Sequence, residues 1–455
     1  MGLYGPDEPR YASIGREMSL SGDYVTPRLW GKGWFEKPAL LYWMIAAGFR
    51  AGLSSDLAPR VPVALFSVAF LIAFFYLVRR EFGMTVAACS TMMLATSGMW
   101  IAYSELGVTD IPMSAAFGLA LLFTLSWLRS GDGRYLSGTA AALGLAFLAK
   151  SGPPLVLALP ALWFGRDKWR DLFRPRPLLL FLLIAAPWYI TCALRNGPAF
   201  LQVLFVQQQF HRLTSPALQH VQPWWFYFKW LPLALFPWTP VLALLMRRDL
   251  YADKRIQFLM VTVAWGLLFF SLSPNKLPGY ILPLLPALVI AAAVALDNAR
   301  ALGRVTIALS ALACCAFPPL IRMMPAWMSR DPANIGLANV WLTVAALAVT
   351  AAVLLMRNRV ASVALIGLLA ATGYLWTKVR TFPLVDSLAT ARPVARELKA
   401  ARVPACVKQD VPRDLRYGLN YYTETPLPDC GKSPPPPAFV YEREHRLVVD
   451  LPRPK

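Results

Sequence analysis

Apolar and polar positions segregate along this chain in whole blocks. Twelve apolar stretches follow one another at 59–78, 85–103, 110–128, 135–149, 153–165, 178–194, 225–246, 256–273, 278–297, 303–322, 338–356 and 360–376. A helix needs roughly 20 apolar residues to cross a bilayer, and most of these blocks approach that length. Two are short, 135–149 and 153–165, and meet at Lys150-Ser151-Gly152-Pro153-Pro154, which predicts either two short tilted helices or one re-entrant pair. Residues 1–58 are polar, aromatic and charged on both signs. Within them, 38–53 is apolar but interrupted by Arg50 and too short to span, so an interfacial helix is expected. After 376 the apolar blocks end. The stretch 388–402 reads as a helix, and ACVKQ, AFVYE and RLVVDL read as short strands. The predicted fold class is an all-α polytopic membrane protein of about 12 transmembrane helices. Interfacial helices lie in its first external loop, and a small external α/β domain closes the chain. The predicted limits are 1–58, 59–379 and 380–455.

Composition agrees: of 455 residues, 57% are hydrophobic and only 15% charged, against about 25% charged in an ordinary soluble domain. The net charge of +20 is explained by cytoplasmic loops, which collect Lys and Arg, rather than by nucleic acid. One set of alternate loops, at 79–80, 129–134, 166–176, 247–255, 300–304 and 357–359, holds seventeen basic residues. The short loops of the other set hold four, Lys150, Lys276, Arg322 and Arg330. The first set is therefore read as cytoplasmic, and both 1–58 and the tail after 376 as external. An external start with no apolar helix before it predicts a further apolar block encoded upstream of Met1.

The external segments collect the unusual residues. Asp110 stands at the mouth of one helix, Lys276 and Tyr280 at the mouths of two others, and ionisable groups at membrane depth are costly and often functional. Bland readings compete. Asp110, or one of Asp7 and Glu8, could serve as a helix cap. Glu36 and Lys37 could form an interfacial ion pair. His220 and the aromatic run Trp224–Trp230 could be interface anchors. A nucleotide-binding loop, a zincin helix and a Ser-His-Asp spacing are not found. Cys406 and Cys430 both fall on the oxidising side; they form a bridge or remain two thiols, and the compartment favours the bridge. Cys89, Cys192, Cys314 and Cys315 read as packing residues.

Three blocks then stand in order within about 40 residues: DEPRYA from Asp7, SGDYVTP from Ser21 and FEKPALLYW from Phe35. Together they resemble the first external loop of GT-C superfamily integral-membrane glycosyltransferases. The resemblance is to the branch of lipid A 4-amino-4-deoxy-L-arabinose transferases, related to protein O-mannosyltransferases (glycosyltransferase family 39/83 type), and it extends more weakly to about residue 380. It implies a polyprenyl-phosphate sugar donor, an envelope acceptor such as lipid A, and an active site on the periplasmic face of the bacterial inner membrane. Carried over residue by residue, it makes Asp7 and Asp110 the catalytic carboxylates and places Glu8 in the cavity. It gives Lys37 the donor phosphate, with Arg10, Lys276 and Tyr280 assisting; the last two belong to NKLPGYILP. It also implies a zinc-like divalent metal at Glu36 and His220, and no other cofactor. One departure stands out: Gln208 and Gln209 occupy the place of a Glu-His pair in the family. The alternative from another class is a transporter or flippase of lipid-linked sugars without transferase activity.

Overall fold

The computed structural model describes residues 1–211, 221–299, 301–319, 340–431, 437–443 and 446–451. Where described, all twelve apolar stretches coincide with helix. Seven helices are long and apolar enough to cross a membrane, and two bent pairs raise that number to nine among the described residues. The remaining stretches form Gly133–Lys150, Pro153–Phe164 and Val340–Leu355, which are shorter or less apolar. The stretch 225–246 is not one rod: Phe226–Leu235 and Thr239–Met246 meet at 114°, around Pro237, which lacks an N–H to carry the helix on.

The opening helix α1, Asp7–Ser21, begins with Asp7, Glu8 and Pro9 and ends at Gly22, whose φ of 71° turns its N–H onto the Met18 carbonyl. Acids and proline in the first turn and glycine just past the last are the expected ends of a helix. Helix α2, Leu40–Arg50, packs across it. Its 11 residues reach only about 16 Å, so it cannot span, as the sequence predicts. A Cβ on Gly15 would lie 2.4 Å from the Ile45 side chain, so the close crossing of α1 and α2 requires glycine there.

The spans α3, Val61–Phe82, and α4 with α5, Met84–Ala95 and Gly98–Ser104, surround a central pair. That pair is α6, Asp110–Ser130, and the segment Pro278–Asn298, which are the most buried of the candidate spans. The start of Pro278–Asn298 packs against α6. The next helix, α7, Gly133–Lys150, returns antiparallel to α6 along its flank. One end of the bundle therefore receives the first residue of α6, the last of α7 and the first turn of 278–298. Those residues are Asp110, Lys150 and Tyr280.

Beyond the bundle, Arg359–Ala389 runs unbroken through the limit predicted at 379/380. Arg392–Ala401 follows as the predicted helix, shorter at its start. Strands β3 (Ala405–Val407), β4 (Ala438–Arg443) and β5 (Arg446–Asp450) form a sheet in that order, β3 parallel to β4 and β4 antiparallel to β5; two further strands, β1 (Arg28–Leu29) and β2 (Lys32–Gly33), pair in the opening segment. This unit has its own apolar core around Val394, Leu398, Val407, Leu419 and Val440. Cys406 and Cys430 are bridged, which resolves the choice left open by the sequence. A second helix, Arg413–Thr423, is not predicted from the sequence; it turns Leu415, Leu419 and Tyr421 inward and lies against α1. Tyr421 donates to the Ser55 carbonyl at 2.6 Å, Tyr422 to Asp56 at 2.5 Å, and Arg392 pairs with Asp56 at 2.6 Å. The C-terminal unit is thus seated on the opening segment.

Candidate active site

Glu8 is the most completely used of the expected site residues, and its use is structural. Its carboxylate is 1% exposed. It accepts two bonds from Arg60, at 2.7 and 2.8 Å, one from the Tyr4 N–H at 2.8 Å and one from the Gly107 N–H at 3.0 Å. Arg60 also donates to the carbonyls of Met1 and Gly2. Glu8 therefore ties α1 to the loop that precedes Asp110, and the cavity position expected for it is not where it lies. Breaking a buried pair strands its partner's charge, at about 3–5 kcal/mol. Glu8→Ala is accordingly expected to lower the melting temperature of the detergent-purified protein sharply, whereas a cavity residue would leave melting nearly unchanged.

Neither Asp7 nor Asp110 caps its helix with its side chain, so the bland reading of both fails. Asp110 instead pairs with the Lys150 ammonium at 2.8 Å, both side chains about 15% exposed. Lys150 also lies 4.9 Å from the centre of the Tyr280 ring. Asp7 pairs with Arg10, which also reaches Glu36 at 3.2 Å. Asp7 keeps 45% of its side chain exposed, against 7% for Arg10.

Lys37, Lys150, Tyr280, Asn275 and Gln208 face one narrow cavity, whose apolar side is Met113, Pro153, Phe269 and Phe270. Two lysines thus face a recess where charge attraction strengthens as water is excluded, with Asp110 already paired to one of them. Lys276, expected among them, is buried elsewhere. Its ammonium donates to the carbonyls of Gln222 at 2.9 Å and Ser273 at 2.5 Å, and burial pushes its amine below the ordinary value. It pins residues 221–222 to the turn before Tyr280, and Lys150 stands in the cavity in its stead.

Arg10 is not open to a phosphate. The rings of Tyr11, Trp34 and Tyr417 surround its guanidinium at 5.4–5.5 Å. Burial opposes its charge, but Tyr11, Asp7 and Glu36 outweigh that and hold it above its ordinary value. It is a positioning residue for Asp7. Tyr417 comes from the C-terminal unit and stacks on Trp30 at 5.8 Å, so that unit forms part of the wall. A cation–π contact is worth about 0.5–2 kcal/mol. Tyr417→Ala is therefore expected to lower turnover about threefold to tenfold with little change in KM, and Tyr417→Phe, which keeps the ring, to restore it.

Of the two residues expected to hold a metal, only Glu36 lies among the described residues. Glu36 already meets the Arg10 cation, and no three His, Cys, Asp or Glu side chains converge among the described residues. His220 lies outside them. Of the aromatic run, Trp224, Trp225 and Phe228 are exposed while Phe226 and Tyr227 join the core, so one face anchors and the other packs.

Residues 36–191 match the family described as dolichyl-phosphate-mannose-protein mannosyltransferase. An undecaprenyl phosphate-alpha-4-amino-4-deoxy-L-arabinose arabinosyl transferase of Pseudomonas fluorescens is 32% identical over 321 residues, covering 66% of this chain and 58% of the relative. A protein of the same description from Pseudomonas aeruginosa is 31% identical over 319 residues, covering 66% and 57%. The chain thus spans well over half, but less than two thirds, of the curated relatives it matches. The crystal structure of ArnT from Cupriavidus metallidurans bound to undecaprenyl phosphate aligns with a TM-score of 0.79 at 22% identity, covering 98% of this chain and 94% of ArnT. At that identity the likeness establishes the fold. The chain therefore carries, at residues 36–191, a domain of the dolichyl-phosphate-mannose-protein mannosyltransferase family of glycosyltransferases, set in an ArnT-like helical fold.

Proposed function

We propose that the protein transfers a sugar from a polyprenyl-phosphate donor to an envelope acceptor. The sugar is 4-amino-4-deoxy-L-arabinose, in keeping with the relatives' description, and the acceptor is lipid A or another envelope glycan or protein. The observation that carries this reading is the convergence of Lys37, Lys150 and Tyr280 on one cavity, at the end of the bundle that also holds Asp7 and Asp110. The flippase alternative gains no support from the family match or from the relatives.

In this mechanism the anomeric C–O bond to the donor phosphate breaks and a bond to the acceptor oxygen forms. The bonding pair stays with the leaving polyprenyl phosphate. Its growing negative charge falls beside Lys37 and Lys150, cations placed before the reaction begins. Asp110 holds Lys150 rather than touching the sugar. The anomeric carbon passes through an oxocarbenium-like state, by analogy with glycoside hydrolysis. Asp7 stabilises it and, for a hydroxyl acceptor, takes the acceptor proton. A phosphate acceptor is already ionised and needs no base; Asp7 then orients it. No step runs through a metal.

The reading includes about twelve crossings, a location in the bacterial inner membrane, and an active site and C-terminal unit facing the periplasm. The seventeen-to-four charge bias between alternate loops supports this orientation. So does the Cys406–Cys430 bridge, since disulfides persist in oxidising compartments. Labelling of single cysteines introduced at Lys32 and at Arg170 by an impermeant maleimide on intact spheroplasts tests it. Lys32 is expected to react and Arg170 not; the reverse pattern contradicts the orientation.

A further inference from the structure

The segment Pro278–Asn298 begins at the candidate active site and ends about 30 Å away, at the other end of the bundle. There the helices Ala301–Ala313, Val340–Leu355 and Arg359–Ala389 border a second, half-open cavity of ≈ 260 Å³ between their ends. Its polar side is Arg304, Arg357, Arg359 and Ser362, and its apolar side Ile307, Val353 and Met356. The arginines are not equivalent. Arg359 is committed to the fold, donating to the carbonyls of Leu296, Asp297 and Ala299, with the Asp297 carboxylate 3.7 Å away. Arg304 and Arg357 are exposed and have no hydrogen-bond or ion-pair partner among the described residues. These line a concavity whose opposite wall is apolar, where water is a poor filling and an anion with an apolar skirt is a good one.

We propose that this cavity binds the phosphate headgroup of an anionic phospholipid. Basic pockets between membrane helices on the cytoplasmic side are suited to such headgroups, and the loop charges read this end as cytoplasmic. A track for the acyl chains adjoins it: Val305, Leu309 and Leu312, at i, i+4 and i+7 of Ala301–Ala313, are all outward-facing and exposed. Free phosphate would use the arginines alone; a phospholipid uses both the arginines and the track. The site is independent of the sugar-transfer reading and involves none of its residues.

The test is native mass spectrometry of the full chain from nanodiscs of equal phosphatidylglycerol and phosphatidylcholine. The wild type is expected to retain phosphatidylglycerol preferentially. Each arginine near anionic lipid contributes a single-charge preference, so the Arg304→Gln, Arg357→Gln double variant is expected to lose roughly tenfold to thirtyfold of it. Ile307→Trp, which fills the cavity and leaves both charges, is expected to lose it as well. Millimolar inorganic phosphate should not displace the lipid. Equal retention of the two lipids by the wild type overturns the proposal, as does unchanged preference in both variants. Displacement by inorganic phosphate overturns it too, by making the cavity a site for the free anion.

Discussion

Asp7→Asn is expected to cut the turnover of sugar transfer to a hydroxyl acceptor by about a hundredfold to ten-thousandfold, the usual contribution of a placed general base. The amide keeps the shape of the carboxylate and can still accept from Arg10. Asp7 is 45% exposed and the buried Arg10 keeps Glu36 at 3.2 Å as a counter-charge, so the loss of turnover is expected to exceed any loss of folded protein, which a melting curve of the variant checks. The size of the effect also reports the acceptor. With a phosphate acceptor no proton needs removing, and the loss shrinks to about tenfold, the worth of one charge-assisted hydrogen bond. Single-turnover rates of the two proteins, with lipid A and with a hydroxyl-bearing glycan, give both numbers. Full activity of the variant on both acceptors would remove Asp7 from the chemistry.

Lys150→Met is expected to be the second large loss. Removing one preorganised donor to a developing oxyanion costs about 10²–10³ in kcat, and Lys150 stands in the cavity beside Lys37. Because the leaving group keeps its charge as product, affinity for undecaprenyl phosphate is also expected to fall, measurably in a titration of the nanodisc-held protein. The substitution leaves Asp110 without the cation 2.8 Å from it, so a folding defect must be separated from a binding defect. The double variant Asp110→Asn, Lys150→Met removes the stranded charge. It is expected to recover stability and not binding. Recovery of binding in the double variant would mean that Lys150 serves only to neutralise Asp110.

The outline of the fold was legible because membrane helices announce themselves locally, by length and apolar content; all twelve stretches proved helical where described. The bend of 114° after Leu235 was not, since a proline in an apolar run is equally compatible with a kinked span. The residues of the site were found by their blocks in the opening segment, and their partners were not. In sequence Lys150 is one loop charge among others; only the antiparallel return of α7 along α6 brings it to Asp110, 40 residues away in sequence. Its position at the end of a short apolar stretch, before Ser151-Gly152-Pro153, was the available signal. Lys276 sat in a motif and was assigned to phosphate, yet two backbone carbonyls hold it, a use that no side-chain pattern betrays. The motif places Glu8 in the cavity beside Asp7, but on a helix adjacent residues face different ways, and Glu8 turns to Arg60. Gln208, read as a departure from the family's pattern, lines the cavity; a neutral amide there leaves the two lysines without a competing carboxylate at that position.

On the proposed function, Lys37 and Lys150 hold a polyprenyl phosphate from which a sugar is moved. The direct measurement is a mass-resolved transfer reaction in proteoliposomes, with polyprenyl-phosphate 4-amino-4-deoxy-L-arabinose as donor and lipid A as acceptor. Modified lipid A and free polyprenyl phosphate are expected in equal amounts, both abolished in the Lys37→Met, Lys150→Met protein. Intact donor after many hours with the wild-type protein, or equal product from the double variant, would contradict it.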